Sequence, residues 1–146
     1  MRRRPGIAAV LVLLAVVGGC ADQQEQYCDA VEAHQEELSE LLADADEGAL
    51  LEALGPFREL AEDAPTDIQD EWRLVIDRIE ALGDALEAAD VDPASYDAAQ
   101  PPAGLDDADR TAITEAARDL GAEETQRALA DLEQQALDVC QTPLVL

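Results

Sequence analysis

The chain has no lysine and no asparagine, and it has one histidine, two serines and four aromatic residues among 146. All nine cationic residues are arginines, set against 34 acidic residues, and the formal net charge is −25. This balance argues against nucleic-acid binding, because neutralising phosphates requires clustered lysine or arginine. The acidity indicates a solvated exterior that resists aggregation or, as the alternative, a surface for a cationic partner or for calcium.

The scarcity of histidine and serine also limits catalysis. His34 is the only histidine, so a helical di-iron site, which needs Glu-x-x-His on two helices, cannot form. Ser39 lies five residues later, about 140° around a helix, and cannot pair with His34 there. Carboxylates are so abundant that pairs of them identify nothing. We therefore predict no catalytic residue and no cofactor, in a protein that is not an enzyme.

Two acidic stretches, 44–46 and 90–92, have the alternating aspartates that begin an EF-hand calcium loop. Such a loop requires glycine at its sixth position and a bidentate glutamate at its twelfth. Those positions hold Ala49 and Gly55 in the first stretch, and Ser95 and Pro101 in the second. Neither stretch fits, and we predict no metal site.

The first 20 residues have the pattern of a secretory signal. Three arginines at 2–4 precede an apolar segment at 7–17 and then small residues, the order typical of a signal peptide. Val17-Gly18-Gly19-Cys20 resembles the lipobox of bacterial lipoproteins, in which the cysteine is lipidated and becomes the first mature residue. The resemblance implies that residues 1–19 are removed and that acylated Cys20 anchors the protein in the bilayer, on the extracytoplasmic face of the cell membrane.

With Cys20 assigned to lipid, two cysteines remain, Cys28 and Cys140. In an exported protein such a pair predicts a disulfide bond. A metal or redox pair is the alternative, but neither CxxC spacing nor a nearby histidine supports it. A bridge would close most of the mature chain into one loop, and a loop near 100 residues contributes about 4.7 kcal/mol in the chain-entropy model.

Apolar residues recur at three- and four-residue steps along the rest of the chain, as in amphipathic helices. We predict helices over about 24–46, 48–63, 66–89 and 107–140. The second should be interrupted at Gly55-Pro56 and the last at Gly121. Thr66 and Gln69 have the spacing of a capping box at the start of the third helix. Residues 90–106, rich in proline and aspartate, predict a long connection.

The cysteine pair favours one topology. Bridged cysteines need Cα atoms within about 7 Å, and an even number of antiparallel passes brings the start of the first helix to the end of the last. We therefore predict an all-α fold, an antiparallel bundle of about four helices closed by a disulfide between its first and last helices. Splitting at residues 55 or 121 would raise the count to five or six. The bundle would span 27–141, between a lipidated tether at 20–26 and a tail at 142–146.

Three further stretches carry a resemblance that covers most of the mature chain: 26–31 around the first bundle cysteine, Ala64-Pro65 with Ile68 and Trp72, and 137–140 around the last cysteine. They resemble small lipoproteins of actinobacteria. The resemblance implies an envelope location and a helical fold, and it carries over no catalytic or ligand residue.

Three functions remain to compare. The leading hypothesis is a monomeric, noncatalytic protein-binding or scaffolding module that docks an envelope protein, with Tyr96 in the long connection as an exposed contact beside Asp92 and Asp97. The alternative is a carrier or receptor for a small ligand or lipid, held between helices near 90–106. An enzyme is the least favoured. A groove rimmed by arginine would favour docking or an anionic ligand, whereas a closed apolar cavity would favour a hydrophobic ligand.

Overall fold

The computed structural model describes residues 18–43, 47–97 and 99–145. Residues 1–17, which hold most of the predicted signal peptide, lie outside the described residues. All regular structure in the described ranges is helical, which confirms the all-α prediction. The six α-helices are α1 (Gly18–Leu42), α2 (Glu47–Glu52), α3 (Leu54–Asp63), α4 (Gln69–Ala88), α5 (Asp107–Leu120) and α6 (Glu123–Gln135). A 3-10 turn (Pro93–Ser95) follows α4, and a π-helical turn (Ala136–Cys140) follows α6.

Two breaks turn the four predicted segments into six helices. The first break lies at Ala53, before the predicted interruption at Gly55-Pro56. Pro56 stands in the first turn of α3, where a missing N–H removes no helical hydrogen bond. The second break lies at Gly121, as predicted. There Thr125 is fully buried, and its hydroxyl donates to the Asp119 carbonyl at 2.9 Å, which joins α6 to the end of α5.

The start of α4 differs from the predicted capping box. Residues 65–68 form a turn closed by the Ile68 N–H and the Pro65 carbonyl at 3.1 Å, and α4 begins only at Gln69. Thr66 is exposed and lies outside the helix, while the Gln69 amide donates to the Ala64 carbonyl at 3.0 Å. The capping-box prediction is wrong, because proline-initiated turn geometry displaces the helix start beyond the reach of Thr66.

The first helix begins earlier than predicted. Helix α1 starts at Gly18, so the range 20–26 that the sequence predicts as a tether is helical. Cys20 lies in its first turn, and the side chain of Cys20 is outside the described residues. Helix α1 ends at Leu42, before the predicted end near residue 46, and residues 44–46 are not described.

Helix α4 forms the centre of the fold. It packs against α2, α3, α5 and α6, whereas α1 packs against α2, α3 and the π-helical turn. The α4 residues in the core are those of the predicted four- and three-residue pattern: Trp72, Val75, Ile79, Leu82 and Leu86. Phe57 of α3 stacks at a tilt on Trp72, with ring centroids 5.5 Å apart, an arrangement worth about 0.5–1.5 kcal/mol beyond its buried area.

The predicted disulfide is present. Cys28 of α1 is bonded to Cys140 at the end of the π-helical turn, with Cα atoms 5.1 Å apart. The bridge therefore joins the first and last helical regions, 112 positions apart in sequence. No helix among the described residues combines the length and apolarity that crossing a bilayer requires.

Candidate functional site

Of the three residues predicted as an exposed contact, Asp92 and Asp97 are exposed and Tyr96 is buried. Tyr96 is only 9% exposed and belongs to the hydrophobic core, so the prediction that its ring is presented to solvent is wrong. Asp92 caps the 3-10 turn by accepting from the Ala94 N–H at 3.1 Å. Asp97 accepts from the Ala99 N–H at 2.8 Å. The turn packs on α2, and this packing draws Tyr96 inward.

A groove of about 560 Å³ lies where α2 and α3 meet α4, beside the start of the long connection. We call it the acidic groove. Its apolar part consists of Leu51, Leu54, Val91 and Pro93, with Gly83 of α4 approaching Leu51 closely. Its rim carries one arginine and five carboxylates: Arg58, Glu80, Asp84, Glu87, Asp90 and Asp92. Of the predicted trio only Asp92 lines this groove.

Helix α4 presents three of the carboxylates on one face, because Glu80, Asp84 and Glu87 follow at four- and three-residue steps. Arg58 of α3 donates to Glu80 Oε1 from Nε at 3.1 Å and from Nη2 at 2.6 Å. Asp84 and Glu87 are exposed and have no ion pair among the described residues. The groove therefore carries a concentration of negative charge that the ion pairs of the described residues leave largely uncompensated.

The C-terminal end of α4 has acidic residues where a helix favours cations. The last turn has no basic residue, and the partial negative charge of a helix C-terminus repels Glu87 and Asp90. Asp90 adopts a left-handed conformation, φ +54°, between an Asp90 N–H bond to the Glu87 carbonyl and a Val91 N–H bond to the Leu86 carbonyl. This is the Schellman end of a helix, at a position that glycine usually occupies.

A second groove, of about 460 Å³, adjoins the first, since Arg58 lines both. It lies between α3 and α4 and has two arginines, Arg58 and Arg73, on its rim, together with Glu62 and Asp77. Arg73 pairs with Asp70 in an exposed contact, a kind of ion pair worth about 0–1 kcal/mol. We call this second groove the arginine groove.

An apolar cavity of about 330 Å³ lies elsewhere in the molecule. It is more enclosed than either groove, and its lining is almost entirely hydrocarbon. The lining residues come from α1, α2, α3, α4, α6 and the segment after the disulfide: Leu38, Leu42, Leu50, Phe57, Trp72, Leu129, Ala130, Leu132, Glu133, Leu144 and Val145. It is not beside the 90–106 connection, where the sequence places the ligand pocket.

One edge of the apolar cavity is polar. Trp72 and Glu133 line it, and Tyr27 is fully buried nearby. Burial raises the pKa of Tyr27 to about 12, because it disfavours the charged phenolate. The nearby Trp72 indole N–H favours the phenolate and opposes this increase, whereas the Glu133 carboxylate repels it and adds to the increase. Among the described residues, neither the Tyr27 hydroxyl nor the Trp72 indole nitrogen has a partner with hydrogen-bond geometry.

Leu144 and Val145 line the apolar cavity, within the range 142–146 that the sequence predicts as a tail. Gln141 turns the chain with φ +58° directly after Cys140. The Gln35 amide of α1 then donates to the Pro143 carbonyl at 2.9 Å, and the Leu144 N–H donates to Glu133 Oε2 at 3.0 Å. Leu144 is 7% exposed. We call residues 141–145 the cover segment.

His34 has a structural environment. Its Nε2 lies 2.9 Å from Glu59 Oε2 on α3, and its Nδ1 lies 3.2 Å from Glu37 Oε2. It thus joins α1 to α3. Within the described residues there is no cluster of three or more histidine, cysteine or acidic side chains arranged to hold a metal ion.

No protein-family model, curated protein or solved structure matches this chain.

Sequence reasoning did not identify either groove or the apolar cavity. The sequence contains a signal for the acidic face of α4, since the spacing of Glu80, Asp84 and Glu87 places them on one helix face. It contains none for the apolar cavity, because the lining of that cavity comes from six separate segments. Trp72 belongs to the hydrophobic core and also lines the cavity.

Proposed function

We propose that this protein is a noncatalytic docking module, anchored through acylated Cys20 on the extracytoplasmic face of the cell membrane, which binds a basic segment of an envelope protein in its acidic groove. The observation that carries the proposal is the pairing of an apolar floor with five carboxylates and one arginine along a single groove. An amphipathic, cationic segment would bury apolar side chains on the floor and set its cations against the rim.

Electrostatics support a cationic partner. With a formal net charge of −25, the protein would attract a basic partner over a distance of about 8 Å at physiological ionic strength and accelerate the encounter. Glu87 and Asp90 stand where the end of α4 disfavours anions. A bound cation would remove that repulsion, which provides a physical reason for placing acids at this end.

The arginine groove gives the docking surface a second feature. Because Arg58 lines both grooves, a partner that spans them would meet negative charge on one side and arginine on the other. This alternation would set the orientation of the bound segment, since like charges opposed across an interface disfavour the wrong register.

The proposed anchor is compatible with α1. Helix α1 begins at Gly18, so a lipid on Cys20 would leave almost no flexible chain before the domain. Together with the disulfide between Cys28 and Cys140, this arrangement would hold the domain close to the bilayer. We further propose that the helical regions pass antiparallel to one another, as the cysteine pairing favours.

Site-specific crosslinking in the native cell tests the docking function. A photoreactive amino acid replaces Asp84 in the acidic groove or, as the control, Glu115 on α5; both positions are exposed. We expect a discrete adduct from position 84 and none from position 115. Adducts of equal yield from both positions would overturn the proposal.

A matched pair of charge variants sharpens the same test. Asp84→Asn with Glu87→Gln and Asp90→Asn removes three groove charges, and Glu32→Gln with Glu36→Gln and Glu115→Gln removes three exposed charges elsewhere. The crosslinker then stands at Leu54 on the groove floor. The adduct should disappear in the groove variant and persist in the control. Its persistence in both would exclude electrostatic docking in this groove.

The anchor is tested separately by intact mass and fractionation. We expect the membrane-extracted protein to begin at an acylated Cys20 and Cys20→Ala to appear in the soluble fraction. An unmodified Cys20, or a Cys20→Ala protein that stays in the membrane fraction, would contradict lipid anchoring without affecting the docking test.

A further inference from the structure

We propose that the apolar cavity beneath the cover segment is a binding site for a small, uncharged hydrophobic molecule. The inference is independent of the acidic groove, with which the cavity shares no lining residue. It rests on the volume, the chemistry of the lining, and the way in which residues 141–145 close the space.

The volume fits a small molecule. Ligand sites usually measure about 300–1,000 Å³, and apolar cavities of about 150 Å³ stay dry and take up benzene or xenon. This cavity measures about 330 Å³. The cavity is partly open and is walled by helices and by the cover segment.

The lining selects for an uncharged occupant. Its body is leucine and aromatic carbon, and the one charged residue, Glu133, already accepts a hydrogen bond from the Leu144 N–H. An anion would meet both this carboxylate and the overall negative charge of the chain. A cation would lose its hydration in a nearly hydrocarbon space, which is costly without a dedicated partner. A neutral aliphatic or aromatic group meets neither penalty.

The lipid proposed on Cys20 itself is not the occupant. Leu38 and Leu42 of the cavity lie 18 and 22 positions beyond Cys20 on one continuous helix. At about 1.5 Å per residue, this places the cavity lining some 27–33 Å along α1 from the anchor. A ligand must therefore arrive from elsewhere.

The cover segment gives the site an entrance. The disulfide fixes Cys140 to α1, so residues after it can move without loosening α6. Two hydrogen bonds hold the segment closed, from the Gln35 amide to the Pro143 carbonyl and from the Leu144 N–H to Glu133. Their loss would lift Leu144 from the cavity, and Gln141, with its left-handed backbone, stands where the segment would hinge.

The only tryptophan of the chain lines the cavity, so its fluorescence reports occupancy directly. The test uses the mature chain, from residue 20, with Cys20→Ala, disulfide intact and without detergent, titrated with 8-bromooctan-1-ol, whose bromine quenches indole on contact. We expect saturable quenching with a Kd on the order of 100 µM. Octan-1-ol should reverse it by competition and, at about ten times its own Kd, raise Tm by roughly 4 °C.

A matched pair of substitutions locates the binding. Leu129→Phe adds volume to the cavity, and Leu105→Phe makes the same change at a partly buried position outside it. The affinity for the bromoalcohol, measured by quenching, should fall at least tenfold in Leu129→Phe and stay unchanged in Leu105→Phe. Leu50→Phe, on another wall, provides a second filling variant if the first fails to fold.

Linear, unsaturable quenching, or equal affinity in the filled and control variants, would overturn the proposal. So would binding that Asp84→Asn abolishes, since the acidic groove would then be the site.

The cover segment is tested by Gln35→Ala, which removes its bond to Pro143. We expect faster association and dissociation of the bromoalcohol than in Gln126→Ala, a control on α6. Unchanged rates would exclude the entrance but not the cavity site, which the filling variants decide.

Discussion

The acidic groove and the apolar cavity are built in opposite ways. The groove is dominated by one face of α4 with the ends of α2 and α3, and its carboxylates follow helical spacing. The cavity draws its lining from five helices and from the cover segment, and three of these helices contribute one residue each. The difference teaches that charge on a helix surface is a local property, whereas an enclosed space depends on how distant segments meet.

Removing the disulfide should give the largest difference between the two regions, because it should destabilise the cavity side more than the groove side. In Cys28→Ala with Cys140→Ala, loss of the constraint on the unfolded chain, about 4.7 kcal/mol for a loop near 100 residues, should lower Tm by about 10 °C or more. Hydrogen exchange should rise mainly in α6 and the cover segment, which the bridge holds to α1. An unchanged Tm, or equal loss of protection in α3 and α4, would break the comparison.

Truncating one leucine in each region should show the next largest difference. Leu132 beside the cavity is fully buried, and Leu51 in the acidic groove is partly exposed. Leu132→Ala should reduce the free energy of unfolding by about 3 kcal/mol, because the void enlarges. Leu51→Ala should cost about 1 kcal/mol. Urea denaturation measures both, and equal costs would mean that the cavity side is no better packed than the groove.

Tyr27 should make the cavity side sensitive to alkaline pH. Its pKa is raised from 10.0 to about 12 in the folded protein, so its contribution is fully present below pH 10 and is lost as the pH rises towards 12. The expected loss is about 1.4 kcal/mol at pH 11 relative to pH 8. Tyr27→Phe removes the titrating group and should lack this loss, which Tm measured at the two pH values will show. The chain has no lysine to titrate in the same range.

Asp90 should give the smallest effect, confined to the groove side. Its left-handed backbone, φ +54°, favours glycine, so Asp90→Gly should be more stable than Asp90→Ala by about 1 kcal/mol. Both variants remove the same charge, and the pair therefore isolates backbone strain from electrostatics. Urea midpoints provide the measurement. Equal stabilities would show that the left-handed backbone at residue 90 adds no strain to an alanine, and that loss of the Asp90 charge accounts for the change in both variants.

Local pattern predicted most of the helices because packing against the core requires apolar residues at helical spacing. The seam of α4, from Trp72 to Leu86, and the break at Gly121 are where the sequence places them. The predictions were wrong at two places where contacts with neighbouring segments overrode the local sequence pattern. The turn at Pro65 displaced the start of α4 from Thr66, and the packing of the 3-10 turn on α2 buried Tyr96.

The sequence by itself determined the helical class and the high negative charge, because periodicity and charge are local or countable properties. Only the tertiary structure decided that residues 141–145 fold back over an apolar cavity and that the α4 carboxylates face an apolar floor. Both features depend on contacts between residues far apart in the chain, and spacing along the sequence does not encode which distant surfaces will meet.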